Sequence, residues 1–380
     1  MCSRCLCFQD KGSVYEETTK ETNTARRSTK GTTDVINQYK LGEVLGRGAF
    51  GVVRAATRKG QTYAVKLLSK PRLKKRRVGM RSNALELLSR EIAVWKKLNH
   101  PNVCNLVEVI NDESHDEVYL VSEFIQGGML LPDKREVEPL EEHLAKSFCR
   151  QILLGLQYLH ALGIAHRDIK PANILLTERS ENGIVKLCDF GVAEMWDRET
   201  NDAGSRVNNT VGTMEFFAPE MCREGGDGFD ATMCDAWAAG VTLYMMLLGR
   251  LPATGDSMDD LFSNIQALEI RMTKQEVLEK YSPDAFELLC GLLTVNVTER
   301  WTVDRALACA WMDDESSEDP AATPKTTKKY SFLQVEQISV SEEEVKKAMT
   351  PIGLGTVRAL SRFNSFRSNN DEEEVEDVSP

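Results

Sequence analysis

From Tyr39 onward, apolar and polar side chains alternate with a period of two, which is the spacing of a half-buried strand. Leu45-Gly46-Arg47-Gly48-Ala49-Phe50-Gly51-Val52-Val53 reads as strand, tight turn, strand. Thr62, Ala64 and Lys66 then fall on one face of the next strand. Further on the period lengthens: Leu85, Leu88, Ile92 and Trp95 recur at helical spacing, as do Leu144, Phe148, Ile152, Leu156 and Leu159. The two periods predict an α+β chain with two lobes. An antiparallel-sheet lobe with one main helix spans 39–125, a mainly α-helical lobe spans 126–314, and residues 123–128 form the hinge. Residues 1–38 are expected to be disordered, because 9–37 are rich in Thr, Lys and Glu with few apolar side chains. Residues 315–380 read as a linker and an acidic regulatory tail, in which Ser341-Glu342-Glu343-Glu344 caps one short helix that Pro351 stops.

With 42% hydrophobic residues in 380, the chain can bury a sizeable core. The balance of 47 basic against 58 acidic residues argues against a nucleic-acid partner. Charge is uneven: residues 70–81 hold seven bases and no acid, whereas 371–377 are nearly all acid. No run of about 18 apolar residues is present, so no transmembrane span is expected. Ten cysteines without a regular framework fit reduced thiols and a cytoplasmic location. Cys2, Cys5 and Cys7 leave S-acylation, with membrane association, open beside a bland reduced tail.

The chemistry concentrates in His166-Arg167-Asp168-Ile169-Lys170-Pro171-Ala172-Asn173, followed by Asp189-Phe190-Gly191. Two carboxylates, a lysine and an amide surround one short loop. Phosphoryl transfer needs that set: Asp168 to orient and deprotonate a hydroxyl, Lys170 to neutralise developing charge, Asn173 and Asp189 to hold magnesium. Gly46, Gly48 and Gly51 precede Ala64-Val65-Lys66, and Thr210-Val211-Gly212-Thr213 and Ala218-Pro219-Glu220 follow in order. Over roughly residues 39 to 314 the chain resembles the eukaryotic protein kinases and their two-lobed fold.

The resemblance implies ATP and Mg2+ as cofactors. Leu45, Gly46, Arg47, Gly48, Ala49, Phe50, Gly51, Val52 and Val53 would cover the phosphates, where glycines admit close backbone approach. Lys66 would bind the α- and β-phosphates, held by Glu91. Val53, Ala64 and Leu175 would sandwich the adenine, and backbone groups of Glu123 and Ile125 would hydrogen-bond its edge. Ser122 takes the gatekeeper position, either opening a pocket behind the adenine or bonding locally while neighbours fill it. Thr213 would contact Asp168 and Lys170 and mark a Ser/Thr kinase. Glu220 should pair with Arg300, Asp235 should hold the catalytic-loop backbone, and His166 and Phe190 should pack.

Within the family, 98–110, Asn209-Thr210-Val211-Gly212-Thr213 and 340–347 are similar to the calcium/calmodulin-dependent kinase kinases and the plant activators of sucrose-non-fermenting-related kinases. That likeness implies a protein substrate that is itself a kinase, phosphorylated on an activation-loop threonine. Rival readings are another protein substrate, a pseudokinase scaffold or a small-molecule kinase. Asn209 stands where many kinases carry a phosphothreonine, which suggests basal activity, and Thr210 is a candidate phosphosite. Met129 replaces a common acid and Met214 a common proline, which leaves basophilic specificity and the docking groove in doubt. The basic, apolar stretch within 345–368 resembles a calmodulin target, against a disordered or pseudosubstrate tail.

Overall fold

The computed structural model describes residues 19–22, 24–30, 33–48, 51–75, 77–78, 82–191, 193–195, 206–207, 210–223, 228–313, 344–345 and 348. The readings placed on Cys2, Cys5, Cys7, Ala49, Phe50, Asn209, residues 314–343 and the tail beyond 348 lie outside them.

An eight-stranded sheet forms the first lobe. Its strands are β1 (Lys20–Thr22), β2 (Arg27–Lys30), β3 (Thr33–Ile36), β4 (Tyr39–Gly48), β5 (Gly51–Arg58), β6 (Gln61–Ser69), Leu106–Asn111 and Glu117–Glu123. In space the order is β1, Leu106–Asn111, Glu117–Glu123, β6, β5, β4, β3, β2. All neighbours are antiparallel except β1, which adds a parallel edge with Lys20 opposite Glu108.

Alternation sends the central strands' side chains to two cores. After the short helix α1 (Lys70–Lys75) comes α2 (Ala84–Trp95), which Val118 and Leu120 face together with Leu68 of β6. Tyr119 and Val121 face the other way, joining Tyr39, Tyr63 and Val65. That outer core needs a cover, and Ala25 and Ile36 supply it. Lys20–Thr22, Arg27–Lys30 and Thr33–Ile36, expected to be disordered, are therefore strands. Composition misled because the segment's ordering is largely polar. The buried Glu108 (1% exposed) accepts from Thr22 Oγ1 at 2.5 Å, from Tyr39 Oη at 2.7 Å and from Arg58 at 3.2 Å. Lys20 Nζ lies 3.3 Å from the same carboxylate. The Arg58 guanidinium stands 5.0 Å over both Tyr39 and Tyr63 rings, within cation–π range.

The second lobe is helical, as expected. Its long elements are α3 (Glu142–Ala161) and α4 (Ala231–Leu248), ending at Ala310–Met312. The α4 helix starts on an Asp230 cap that accepts from Thr232 N and Met233 N, and stops at Gly249 in the left-handed region. Among the described residues α4 alone has the length and hydropathy of a membrane span, but 89% of that window is buried inside the fold. It is a core helix. Glu220 and Arg300 meet beneath it at 2.7 and 2.8 Å, with Arg300 over the Trp237 ring at 5.0 Å.

Replacing Glu108→Ala removes the acceptor of the buried Tyr39 hydroxyl, at a cost of about 1–3 kcal/mol. Chemical denaturation should show that loss, and hydrogen exchange should rise over 19–22 and 106–111. Unchanged protection there would mean that Glu108 does not hold β1.

Candidate active site

The cleft is built from β5, β6, α2, the loop after Ile164–Ala165 and the chain around Asp189. Alternation along β6 brings Ala64 and Lys66 to the side of Leu68 and α2. The α2 helix forms because Ala84, Leu88, Ile92 and Trp95 recur on one face and are all buried. The same turns carry Glu91 toward Lys66. Lys66 Nζ lies 3.2 Å from Asp189 Oδ1 and 3.9 Å from Glu91 Oε1, and that Glu91 oxygen is buried without a hydrogen bond.

Burial pushes the Glu91 carboxyl up to about 7, against the pull of Lys66. For Lys66 burial disfavours the ammonium, but the Asp189 and Glu91 carboxylates outweigh it and raise its pKa. Lys66 in turn holds the Asp189 carboxyl below its ordinary value despite burial. Asp189 is thus the anion that Lys66 grips most closely, with Glu91 in reserve.

The loop expected to carry the chemistry is assembled around Asp168 (2% exposed). Lys170 Nζ lies 2.8 Å from Asp168 Oδ2 and donates to Thr213 Oγ1 at 2.5 Å; Thr213 donates to Asp168 Oδ1 at 2.8 Å. Asn173 Nδ2 donates to Asp168 Oδ2 at 2.6 Å and to its carbonyl at 2.9 Å. Thr213 comes this close because Gly212 has φ +116, and a Cβ there would meet Arg167 O at 2.6 Å. Arg167 and Asp189 themselves take positive φ values of 67 and 66, which side-chain-bearing residues seldom adopt. Asp235 of α4, 1% exposed, holds the first of them. It accepts from His166 N at 2.8 Å, Arg167 N at 2.7 Å and His160 Nε2 at 2.9 Å.

His166 packs, as expected: it is fully buried, pairs with Cys188 O at 3.1 Å and sits 5.2 Å from the Phe190 ring. Phe190 also meets Trp95 of α2, 6.0 Å between centroids.

On the nucleotide side, Val53 pairs with Lys66 across β5 and β6, Ala64 lies opposite Ser122, and Leu175 opposes Met129. Ser122 is 8% exposed. Leu45, Gly46, Arg47 and Gly48 end β4, and Gly51 and Val52 open β5. At the hinge, the Glu123 carboxylate accepts from Asn105 N at 2.8 Å and Lys186 Nζ at 2.9 Å, while Glu123 N donates to Asn105 O at 3.1 Å. Gly127 packs so tightly that a Cβ would meet Leu176 O at 2.4 Å. The Glu123–Lys186 pair, the His160 contact and the Trp95–Phe190 contact were missed from sequence, since nothing local links partners so far apart.

Asn173 and Asp189 fit a magnesium ion by chemistry: with Asn173 Nδ2 committed to Asp168, the amide oxygen and the Asp189 carboxylate are hard oxygen donors. Among the described residues no group of three or more His, Cys, Asp or Glu could hold a metal alone. Such a two-ligand site suits an ion that also takes phosphate oxygens.

The protein kinase domain family matches residues 39–312. The chain is 33% identical over 287 residues to serine/threonine-protein kinase GRIK2 of Arabidopsis thaliana, covering 75% of this chain and 68% of that protein. It is 33% identical to serine/threonine-protein kinase GRIK1 of the same plant, covering 78% and 72%. With a calcium/calmodulin-dependent protein kinase kinase of Caenorhabditis elegans the identity is 32%, over 83% of this chain and 59% of the relative.

A carboxyl raised from 4.5 to about 7 gives the fold a pH signature. Below 4.5 both folded and unfolded states hold the proton and its contribution is fully present. As pH rises to about 7 the unfolded chain releases the proton first, so this contribution falls. Denaturation midpoints measured from pH 4.5 to 8 should decline less steeply in Glu91→Gln than in the parent; parallel curves would exclude a raised Glu91.

Proposed function

The chain belongs to the protein kinase family and is a serine/threonine kinase, and on that premise we propose that it uses ATP and Mg2+ to phosphorylate an activation-loop threonine of an AMP-activated-type kinase. One observation carries the phosphotransferase reading: Asp168 is held by Lys170 and Asn173 of its own loop and by Thr213 from a later segment, while Asp189 and Lys66 pair across the cleft. The kinase-directed substrate is supported by the likeness of 98–110 and 340–347 to kinase kinases, and by the nematode relative's name.

In this mechanism Asp168 accepts the proton of the incoming threonine hydroxyl, its carboxylate oriented by the Thr213 and Asn173 bonds. Lys170, already beside Asp168, offers positive charge to the moving phosphoryl oxygens. Lys66 grips the α- and β-phosphates of the nucleotide substrate, with Glu91 and Asp189 setting its position. Asn173 Oδ1 and the Asp189 carboxylate would hold a magnesium ion, which when bound would offset negative charge on the nucleotide phosphates. Lys66, Glu91, Asp168, Asn173 and Asp189 are all present, which favours turnover over a pseudokinase scaffold.

Incubation of the full chain with Mg-ATP and a catalytically dead AMP-activated-type kinase should yield phosphothreonine in that partner's activation loop. Asp168→Asn should cut the rate by about 10²–10⁴-fold. No ATP consumption by the parent chain would support the scaffold reading, and transfer only to other proteins would overturn the named substrate class.

A further inference from the structure

Lys96 and Lys97 continue the last turn of α2, with their N–H groups bonded to Ile92 O at 3.0 Å and Val94 O at 2.9 Å. Two segments from opposite ends of the chain converge on them. Glu21 of β1 lies 2.5 Å from Lys96 Nζ. Glu344 Oε1 lies 2.8 Å from Lys97 Nζ, and the Ala348 carbonyl accepts from Lys96 Nζ at 3.4 Å. The tail contact is apolar as well as charged. Ala348 is 5% exposed, and Val345 packs against the same core as Leu88, Ile92 and Trp95. Exposed ion pairs alone contribute little, so the buried alanine and the valine are what make this a seated contact.

What is seated there bears on the cleft. A helix of α2's length is about 18 Å of stiff rod, so its end and its middle move together. Its middle carries Glu91 and its last turn carries Trp95, which meets Phe190. The Lys66–Glu91 separation of 3.9 Å is at the outer edge of an ion pair, so a small displacement of α2 decides whether the pair exists.

We propose that Glu344, Val345 and Ala348 are a positioning element for phosphoryl transfer. Glu344, Val345 and Ala348 dock on the final turn of α2 and keep Glu91 within reach of Lys66. Lys96 and Lys97 are the positioning residues that receive them. The inference rests on the kinase reading and adds that the tail supports activity in cis at this point.

The test uses full-length variants: Glu344→Lys, Lys97→Glu, the two combined, and Ala348→Asp. The readouts are kcat, the KM for ATP, and hydrogen exchange over 84–97 without nucleotide. Each charge reversal should lower kcat/KM for ATP about two- to fivefold, and the combined exchange should restore it, in the range expected of a partly exposed pair. Ala348→Asp should lower it more and raise exchange in 84–97, with thermal unfolding of the helical lobe unchanged. Equal or higher turnover in Ala348→Asp, or failure of the combined exchange to restore activity, would overturn the proposal. Should the parent chain turn over no substrate, the kinase reading fails on that control. The exchange measurement still decides the docking: lost protection supports it, and unchanged protection refutes it.

Discussion

One carboxylate near the start of an apolar helix holds this molecule's chemistry in place. Asp235 is nearly sealed within α4, where an unpaired charge would be prohibitively costly. It is satisfied by two backbone amides of the catalytic loop and by His160. That arrangement helps fix Arg167 in a backbone conformation it would otherwise avoid. Asp168, next in the chain, is thereby aimed at Lys170 and Thr213. The rigidity of the core is passed to the reacting group through three hydrogen bonds.

The other lobe solves a different problem, which is to hold a lysine that meets two acids. Alternation along β6 chooses the face, and the pairing of Val53 with Lys66 fixes the height. Asp189 then stands closer to the ammonium than Glu91 does. Burial makes ionisation costly at Glu91, whereas the closer Lys66 keeps the Asp189 carboxyl low despite burial. Phe190 joins the lobes physically, since it touches Trp95 on one side and His166 on the other.

The site was legible in the sequence wherever its parts lie close together or at fixed helical and strand periods. His166 to Asn173, Asp189, Lys66 and Glu91 were read this way, and the structure brings them to one cleft. Contacts between distant polar residues were legible only where the family resemblance implied them, as for Glu220 with Arg300. Nothing near Glu123 announces Lys186, and nothing near Lys20 or Thr22 announces Glu108. The N-terminal strands were missed for the same reason. Their own side chains are mostly polar, and their order comes from pairing with a sheet whose outer face is apolar. The helical lobe gave the opposite case, with long periodic runs such as α3 that read correctly because burial and period agree.

The family match begins at Tyr39, yet the sheet begins at Lys20. A protein cut at the family boundary would lose the cover over Tyr39, Tyr63, Val65, Tyr119 and Val121, and would leave Leu106–Asn111 as a bare border strand. Aromatic surface beside unpaired amides is a template for self-association. The strands that precede Tyr39 thus act as a built-in guard of solubility, and recombinant work that trims them should expect clumping before it sees any change in catalysis.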